Sequence, residues 1–123
     1  MAKRILVVDD EADITEMVAL RLMAGGYDVV AAGSGEECLD KVKVEKFDLI
    51  IMDVSMPGMD GIVAACRLQR DAATRDIPVV FLTALAGKED LGGDHAALGG
   101  HIIIAKPFNG NDLLAVVKQQ LKV

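Results

Sequence analysis

Five polar residues each follow an apolar, strand-like run, and together they could carry out phosphoryl transfer. They are Asp9, Asp10, Asp53, Thr83 and Lys106. Clustered carboxylates bind hard divalent cations, and an ammonium group neutralises charge that develops on phosphoryl oxygens. A carboxylate can also act as the nucleophile and form an acyl phosphate. These residue types therefore indicate metal-assisted phosphoryl transfer, with Asp53 as the first candidate for the acceptor.

Asp53 lies within residues 49–61, the stretch whose sequence most restricts the possible secondary structure. The apolar run before Asp53 is typical of a strand buried on both faces. Pro57, Gly58 and Gly61 then prevent a simple continuation of strand or helix. Ligands of open α/β sheets bind outside the carboxyl ends of the strands. Asp is also a common loop cap, so this stretch alone leaves both interpretations open.

The elements needed to position these residues alternate regularly along the chain. Ser34 and Glu37 have the spacing of a capping box, and Asp60 is placed to cap a helix. The alternation predicts one α/β domain over 1–123, with a parallel sheet and helices on both faces. Strands are predicted at 3–8, 27–32, 48–52, 77–82 and 101–105, and helices at 13–23, 35–44, 61–70, between 84 and 100 (weakly) and at 112–121.

The predicted sheet brings three of the carboxylates together. A doubly wound sheet that starts in its middle places strands one and three side by side, with strand two outside. Asp9, Asp10 and Asp53 then share one pocket. Two carboxylates about 4 Å apart repel by roughly 4 kcal/mol at an effective dielectric constant of 20. Mg²⁺ or Mn²⁺, which prefer oxygen ligands, would offset that repulsion, and Lys106 would add a further positive charge.

Composition excludes several classes of function. The net charge of −6 disfavours direct binding to nucleic acid or to an anionic membrane. No apolar run approaches the roughly 20 residues of a membrane span, and the N-terminus has no signal-peptide pattern. Cys38 and Cys66 lack metal-ligand spacing, which indicates reduced thiols in a cytoplasmic protein.

Four motifs closely resemble the CheY-like receiver domain of bacterial two-component response regulators. The resemblance covers the whole chain, and it implies a flavodoxin-like fold with sheet order 2-1-3-4-5. The motifs together are far more specific than any one of them. They are Val7-Val8-Asp9-Asp10-Glu11, Asp53-x-x-Met56-Pro57-Gly58-Met59-Asp60-Gly61, Leu82-Thr83-Ala84 and Lys106-Pro107-Phe108.

The resemblance also implies a role for each acid. Asp53 would accept a phosphoryl group from the phosphohistidine of a sensor histidine kinase or a phosphotransfer protein. Asp10 would bind Mg²⁺ directly, and Asp9 would act through a water molecule. The backbone carbonyl of Ser55 would be a further protein ligand of the metal.

Three more residues would contact the phosphoryl group in a protein of this family. The Thr83 hydroxyl and the Ala84 backbone amide would each meet a phosphoryl oxygen, and Lys106 would pair with the group. The chain would assist its own phosphorylation and slow dephosphorylation. It is therefore predicted to be a switch rather than an enzyme.

The sequence departs from the family pattern in two places. Ile103 stands three residues before the lysine, where the family usually has Tyr or Phe, and a β-branched aliphatic residue has no comparable inward swing. Five of the fourteen residues in 87–100 are Gly, which predicts a short, kinked or mobile fourth helix. That helix, the fifth strand and the fifth helix form the family's usual output face.

Because nothing follows the last predicted helix, no output domain is expected, and signalling would occur by contact with another protein. The chain could instead be the receiver piece of a larger regulator or of a hybrid kinase. A Mg²⁺-dependent phosphohydrolase of the haloacid-dehalogenase type would need Asp-x-Asp after the first strand, which residues 9–12 do not provide. FMN binding is disfavoured because the loop after strand one is acidic.

Overall fold

A computed structural model describes residues 2–83, 102–105 and 110–121. The glycine-rich fourth helix predicted within 84–100 lies outside the described residues, so α4 below corresponds to the predicted fifth helix. The elements are β1 (Arg4–Val8), α1 (Ala12–Ala24), β2 (Asp28–Ala32), α2 (Gly35–Val44), β3 (Leu49–Asp53), α3 (Gly61–Arg70), β4 (Val79–Thr83), β5 (Ile102–Ala105) and α4 (Gly110–Leu121).

The sheet has the predicted order, β2-β1-β3-β4-β5, and every neighbouring pair is parallel. Asp53 pairs with Leu82 of β4, and Thr83 pairs with Ala105 of β5. β1, β3, β4 and β5 therefore reach the same edge within one or two residues of one another. The flavodoxin-like prediction is confirmed, and the strand bounds differ from the predicted ones by at most two residues.

Alternate strand residues build a separate apolar core on each face of the sheet. Leu6, Ile50 and Phe81 belong to the cluster that includes residues of α2 and α3. Ile5 and Ile51 belong to the cluster that includes residues of α1 and α4. All five residues of β3 are buried, as predicted for a central strand covered on both sides.

Local hydrogen bonds fix where two helices begin. The Glu37 amide donates to Ser34 Oγ at 3.0 Å, and the Val63 amide donates to Asp60 Oδ1 at 2.9 Å. Glu37 Oε1 accepts from the Gly33 amide at 2.8 Å, one residue before the position expected in a standard capping box. Both predicted N-caps are therefore confirmed.

Two details of the predicted helices are wrong. The apolar pattern of residues 13–23 predicts that Met17 lies beside Ile14, Val18 and Leu22 on the buried face of the helix, but Met17 is 48% exposed. The buried stripe of α1 instead runs through Thr15, Val18 and Leu22, which lie roughly 100–160° around the helix from Met17. α4 begins at Gly110, two residues before the predicted start.

Both cysteines are free thiols, as predicted, and they differ in exposure. Cys38 is buried and Cys66 is exposed. Burial raises the pKa of the Cys38 thiol to about 12. None of the helices in the described residues is long and apolar enough to cross a membrane.

We expect iodoacetamide at a pH of about 8 to modify Cys66 in the folded protein and to leave Cys38 intact, because the thiolate is the nucleophile. Peptide mapping by mass spectrometry measures the modification of each thiol. The Cys66→Ser variant should take up no label when folded, and both thiols of the parent chain should react in denaturant. Labelling of Cys38 in the folded chain would contradict its burial.

Candidate functional site

Three carboxylates meet at the carboxyl edge of the sheet. Asp9 and Asp10 follow directly after β1, and Asp53 is the last residue of β3, the neighbour of β1. One carboxylate oxygen from each lies within 4.8 Å of the other two. The structure therefore brings together the three acids that the sequence places in one pocket.

The three acids differ in exposure. Asp9 and Asp53 are only 1% and 4% exposed, whereas Asp10 faces solvent. Asp9 Oδ1 accepts a hydrogen bond from the Glu11 amide at 2.9 Å, which turns the chain from β1 into α1. Asp9 therefore also supports the loop, and Asp10 is the carboxylate most accessible to an arriving cation.

The loop after β3 is held by backbone hydrogen bonds on both sides of Asp53. The Val54 amide donates to Leu82 O of β4, and the Gly61 amide donates to Val54 O, each at 2.9 Å. The Ser55 amide lies 3.3 Å from Asp53 Oδ1. These bonds fix the direction in which the chain leaves β3 after Asp53.

Gly61 allows the start of α3 to sit against the acceptor strand. A Cβ atom built on Gly61 would overlap the backbone carbonyl oxygen of Asp53. Gly58 has a φ of 74°, a backbone conformation that favours glycine. The sequence marked both glycines only as breaks, and the close approach of Gly61 to Asp53 became visible only in the structure.

We expect Gly61→Ala to lower the free energy of unfolding by about 1–3 kcal/mol, because the added methyl group overlaps backbone that cannot rotate away. Alanine has a higher helix propensity than glycine, so any loss of stability would come from this overlap. Urea denaturation measures the effect. The matched control is Gly33→Ala, whose Cβ would meet only Glu37 Oε1 at 3.6 Å. Equal stability of the two variants would contradict the close packing.

The donor set fits a hard divalent cation. All three groups are carboxylates, and such oxygen ligands suit Mg²⁺, which retains several water molecules when it binds to proteins. Two of the three are largely removed from solvent, so their mutual repulsion is less screened than it would be at the surface. A bound cation would relieve that repulsion and could hold a phosphoryl oxygen beside Asp53.

The remaining predicted site residues are described only in part. Thr83 ends β4 directly after Leu82, the residue that pairs with Asp53, but the role of its hydroxyl remains a prediction. Ala84 and Lys106 lie outside the described residues. Ile103 is half-buried and packs against the core cluster on the α2–α3 face of the sheet.

A five-stranded 2-1-3-4-5 parallel sheet with an acidic pocket at its carboxyl edge defines the CheY-like class of fold. The chain belongs to the response regulator receiver domain family, whose model matches residues 5–118. The family membership that the four motifs predict is therefore confirmed. The relatives described below are regulatory proteins, and none of them is named as a phosphohydrolase.

The curated relatives are about twice as long as this chain. The chain is 40% identical over 122 residues to the phosphate regulon transcriptional regulatory protein PhoB of Pseudomonas aeruginosa, covering 99% of this chain and 53% of PhoB. It therefore spans about half the length of that relative.

Solved structures show the same fold. A putative response regulator from Chloroflexus aurantiacus is 33% identical, with a TM-score of 0.91 and complete coverage of both chains. The response regulator TrrA from Thermotoga maritima, in complex with Mg²⁺ and BeF, is 36% identical with a TM-score of 0.82, covering 97% of this chain and 99% of TrrA.

Proposed function

We propose that Asp53 accepts a phosphoryl group, in a Mg²⁺-dependent reaction, from the phosphohistidine of a sensor histidine kinase or a phosphotransfer protein. An Asp53 carboxylate oxygen bonds to phosphorus while the phosphorus–nitrogen bond of the phosphohistidine breaks. The imidazole nitrogen keeps the electron pair and takes a proton, and the product is an acyl phosphate on Asp53. The observation that carries this proposal is the meeting of three carboxylates at the end of β3.

The three acids would bind the metal in different ways. Asp10 and Asp53 would bind it directly, Asp9 would act through a water molecule, and the Ser55 carbonyl would complete the protein ligands. The exposure of Asp10 and the hydrogen bond that Asp9 already accepts are consistent with this division. The relative TrrA was solved in complex with Mg²⁺ and BeF, which supports binding of Mg²⁺ by a domain of this fold. Mn²⁺, which likewise prefers oxygen ligands, would serve in place of Mg²⁺.

Thr83, the Ala84 amide and Lys106 would contact the phosphoryl oxygens. These donors would stabilise charge in the transition states both for phosphorylation and for slow hydrolysis. The domain would thus assist its own modification and act as a switch without turning over a separate substrate. The place of Thr83 at the end of β4, next to the strand of Asp53, supports this assignment.

The signal would pass to a downstream protein through the face made by the predicted fourth helix, β5 and α4. Ile103 of β5 packs against the α2–α3 core cluster, and its branched side chain lacks the large inward swing of an aromatic ring. Coupling would therefore depend on Thr83 and the segment that follows it.

Acetyl phosphate and Mg²⁺ provide a direct test of this function. We expect intact-mass spectrometry to show one added phosphoryl group per chain, and we expect EDTA to prevent its addition. A hydrolase would instead turn over p-nitrophenyl phosphate continuously. Sustained turnover without a stoichiometric adduct would overturn the proposal.

A further inference from the structure

A groove lies between the C-terminal ends of α2 and α3, at the end of the sheet opposite Asp53. It consists of two adjoining cavities of about 430 Å³ each, which share Val42, Lys43, Ala73 and Thr74. The apolar part of its lining comes from α2, α3 and the segments that follow them. These apolar residues are Leu39, Val42, Val44, Phe47, Leu68, Ala73 and Ile77, of which Phe47 and Leu68 are buried and form the floor.

The charges around the groove are not balanced. Lys43, Lys46 and Arg67 line it, are exposed, and form no salt bridge with any residue in the described part of the chain. Of the two acids in the lining, Glu45 is paired with a cation, whereas Asp71 is bound only by a backbone amide and keeps its charge, so three cations face one uncompensated carboxylate. Glu45 Oε1 lies 2.5 Å from the Arg4 guanidinium, and Asp71 Oδ1 accepts from the Ala73 amide at 2.9 Å. An acidic protein therefore presents an apolar groove with a positive rim.

Helix dipoles explain only part of this pattern. Lys43 and Arg67 lie in the last turns of α2 and α3, where a cation stabilises the helix end. Lys46 lies beyond α2, so the same argument does not account for it. Nor does the helix dipole account for the apolar lining, in which Val44 is 79% exposed.

We propose that this groove docks an extended acidic peptide segment of a partner protein, with apolar side chains seated between its carboxylates. The positive rim complements the carboxylates, and the two adjoining cavities suit alternate apolar side chains. Thr74 Oγ1 already donates to Leu68 O at 2.6 Å, so charge and apolar contact, rather than hydrogen bonds from the groove wall, would dominate binding. A concave groove fits a peptide better than a flat anionic membrane. The proposal is independent of the chemistry at Asp53.

A peptide of alternating Glu and Leu tests the proposal, with a Gln-for-Glu peptide of the same length as its matched probe. We expect amide shifts in NMR spectra of the labelled chain to map to residues 42–47 and 67–77. The Lys43→Glu/Arg67→Glu variant should bind about tenfold more weakly, because two attractions become repulsions. The loop variant Lys46→Glu should weaken binding in the same direction and leaves both helices unchanged.

Lys118→Glu is the matched control, since Lys118 is an exposed lysine in the last turn of α4. It should bind the acidic peptide as the parent chain does. Equal binding of the Glu and Gln peptides, shifts elsewhere on the surface, or no shifts up to about 1 mM peptide would overturn the proposal. If the chain does not bind the peptide but cosediments with phosphatidylglycerol vesicles, and this cosedimentation requires Lys43 and Arg67, the proposal is also wrong.

Discussion

Replacing Asp53 with Asn should abolish the phosphoryl adduct formed with acetyl phosphate and Mg²⁺. Asn has nearly the same shape as Asp but lacks the carboxylate that would attack phosphorus. Asp53 ends a fully buried strand and its loop is fixed by backbone hydrogen bonds, so the fold should survive the change. Intact-mass spectrometry should show the loss, with a circular dichroism spectrum like that of the parent chain.

Asp40→Asn is the control for this result, because Asp40 is an exposed acid on α2 outside the carboxylate cluster. It should be phosphorylated as fully as the parent chain. A stoichiometric adduct that persists on Asp53→Asn would mean that another group accepts the phosphoryl group. The proposed function would then be wrong at its central residue.

Asp10→Asn should stabilise the metal-free protein while weakening its binding of Mg²⁺. The change removes one of three charges whose oxygens lie within 4.8 Å of one another. Because Asp10 is exposed, we expect the free energy of unfolding to rise by only about 1 kcal/mol, the value for such a pair in a water-like dielectric. Loss of a charged ligand should weaken Mg²⁺ binding by about tenfold or more.

Urea denaturation in EDTA and titration calorimetry with MgCl₂ measure the two effects. Asp28→Asn serves as the control, because Asp28 is an exposed acid at the start of β2, away from the carboxyl edge. It should leave the Mg²⁺ affinity unchanged. Clear destabilisation of metal-free Asp10→Asn would show that the crowded carboxylates do not repel as argued. Unchanged Mg²⁺ affinity would remove Asp10 from the ligand set.

The fold could be predicted because local patterns and global topology agree. β3 is apolar along its whole length, and Asp60 and Ser34 mark the starts of their helices before any tertiary contact is considered. Once the strands are parallel, the acids after β1 and β3 must lie at the same edge of the sheet. The order 2-1-3-4-5, which the family resemblance implies, makes these two strands neighbours and so brings Asp9, Asp10 and Asp53 together.

Other features depend on tertiary packing, which the periodicity of apolar residues in the sequence does not determine. Met17 and Val18 are both apolar neighbours in α1, and only the position of the sheet decides that Val18 is buried and Met17 is exposed. The contact between Gly61 and the Asp53 carbonyl depends on how closely α3 approaches β3. The engagement of Glu45 by Arg4 pairs residues 41 positions apart, so the positive rim of the groove was not visible in the sequence.

Chemical trapping identifies the residue that carries the phosphoryl group. The chain is phosphorylated with acetyl phosphate and Mg²⁺, treated with borohydride to reduce any acyl phosphate, and digested for peptide mapping by mass spectrometry. Reduction of an aspartyl phosphate yields homoserine, and we expect it at position 53 and at no other carboxylate. Homoserine at Asp9, at Asp10 or elsewhere, or its absence from a chain that carries the adduct, would contradict the assignment of Asp53.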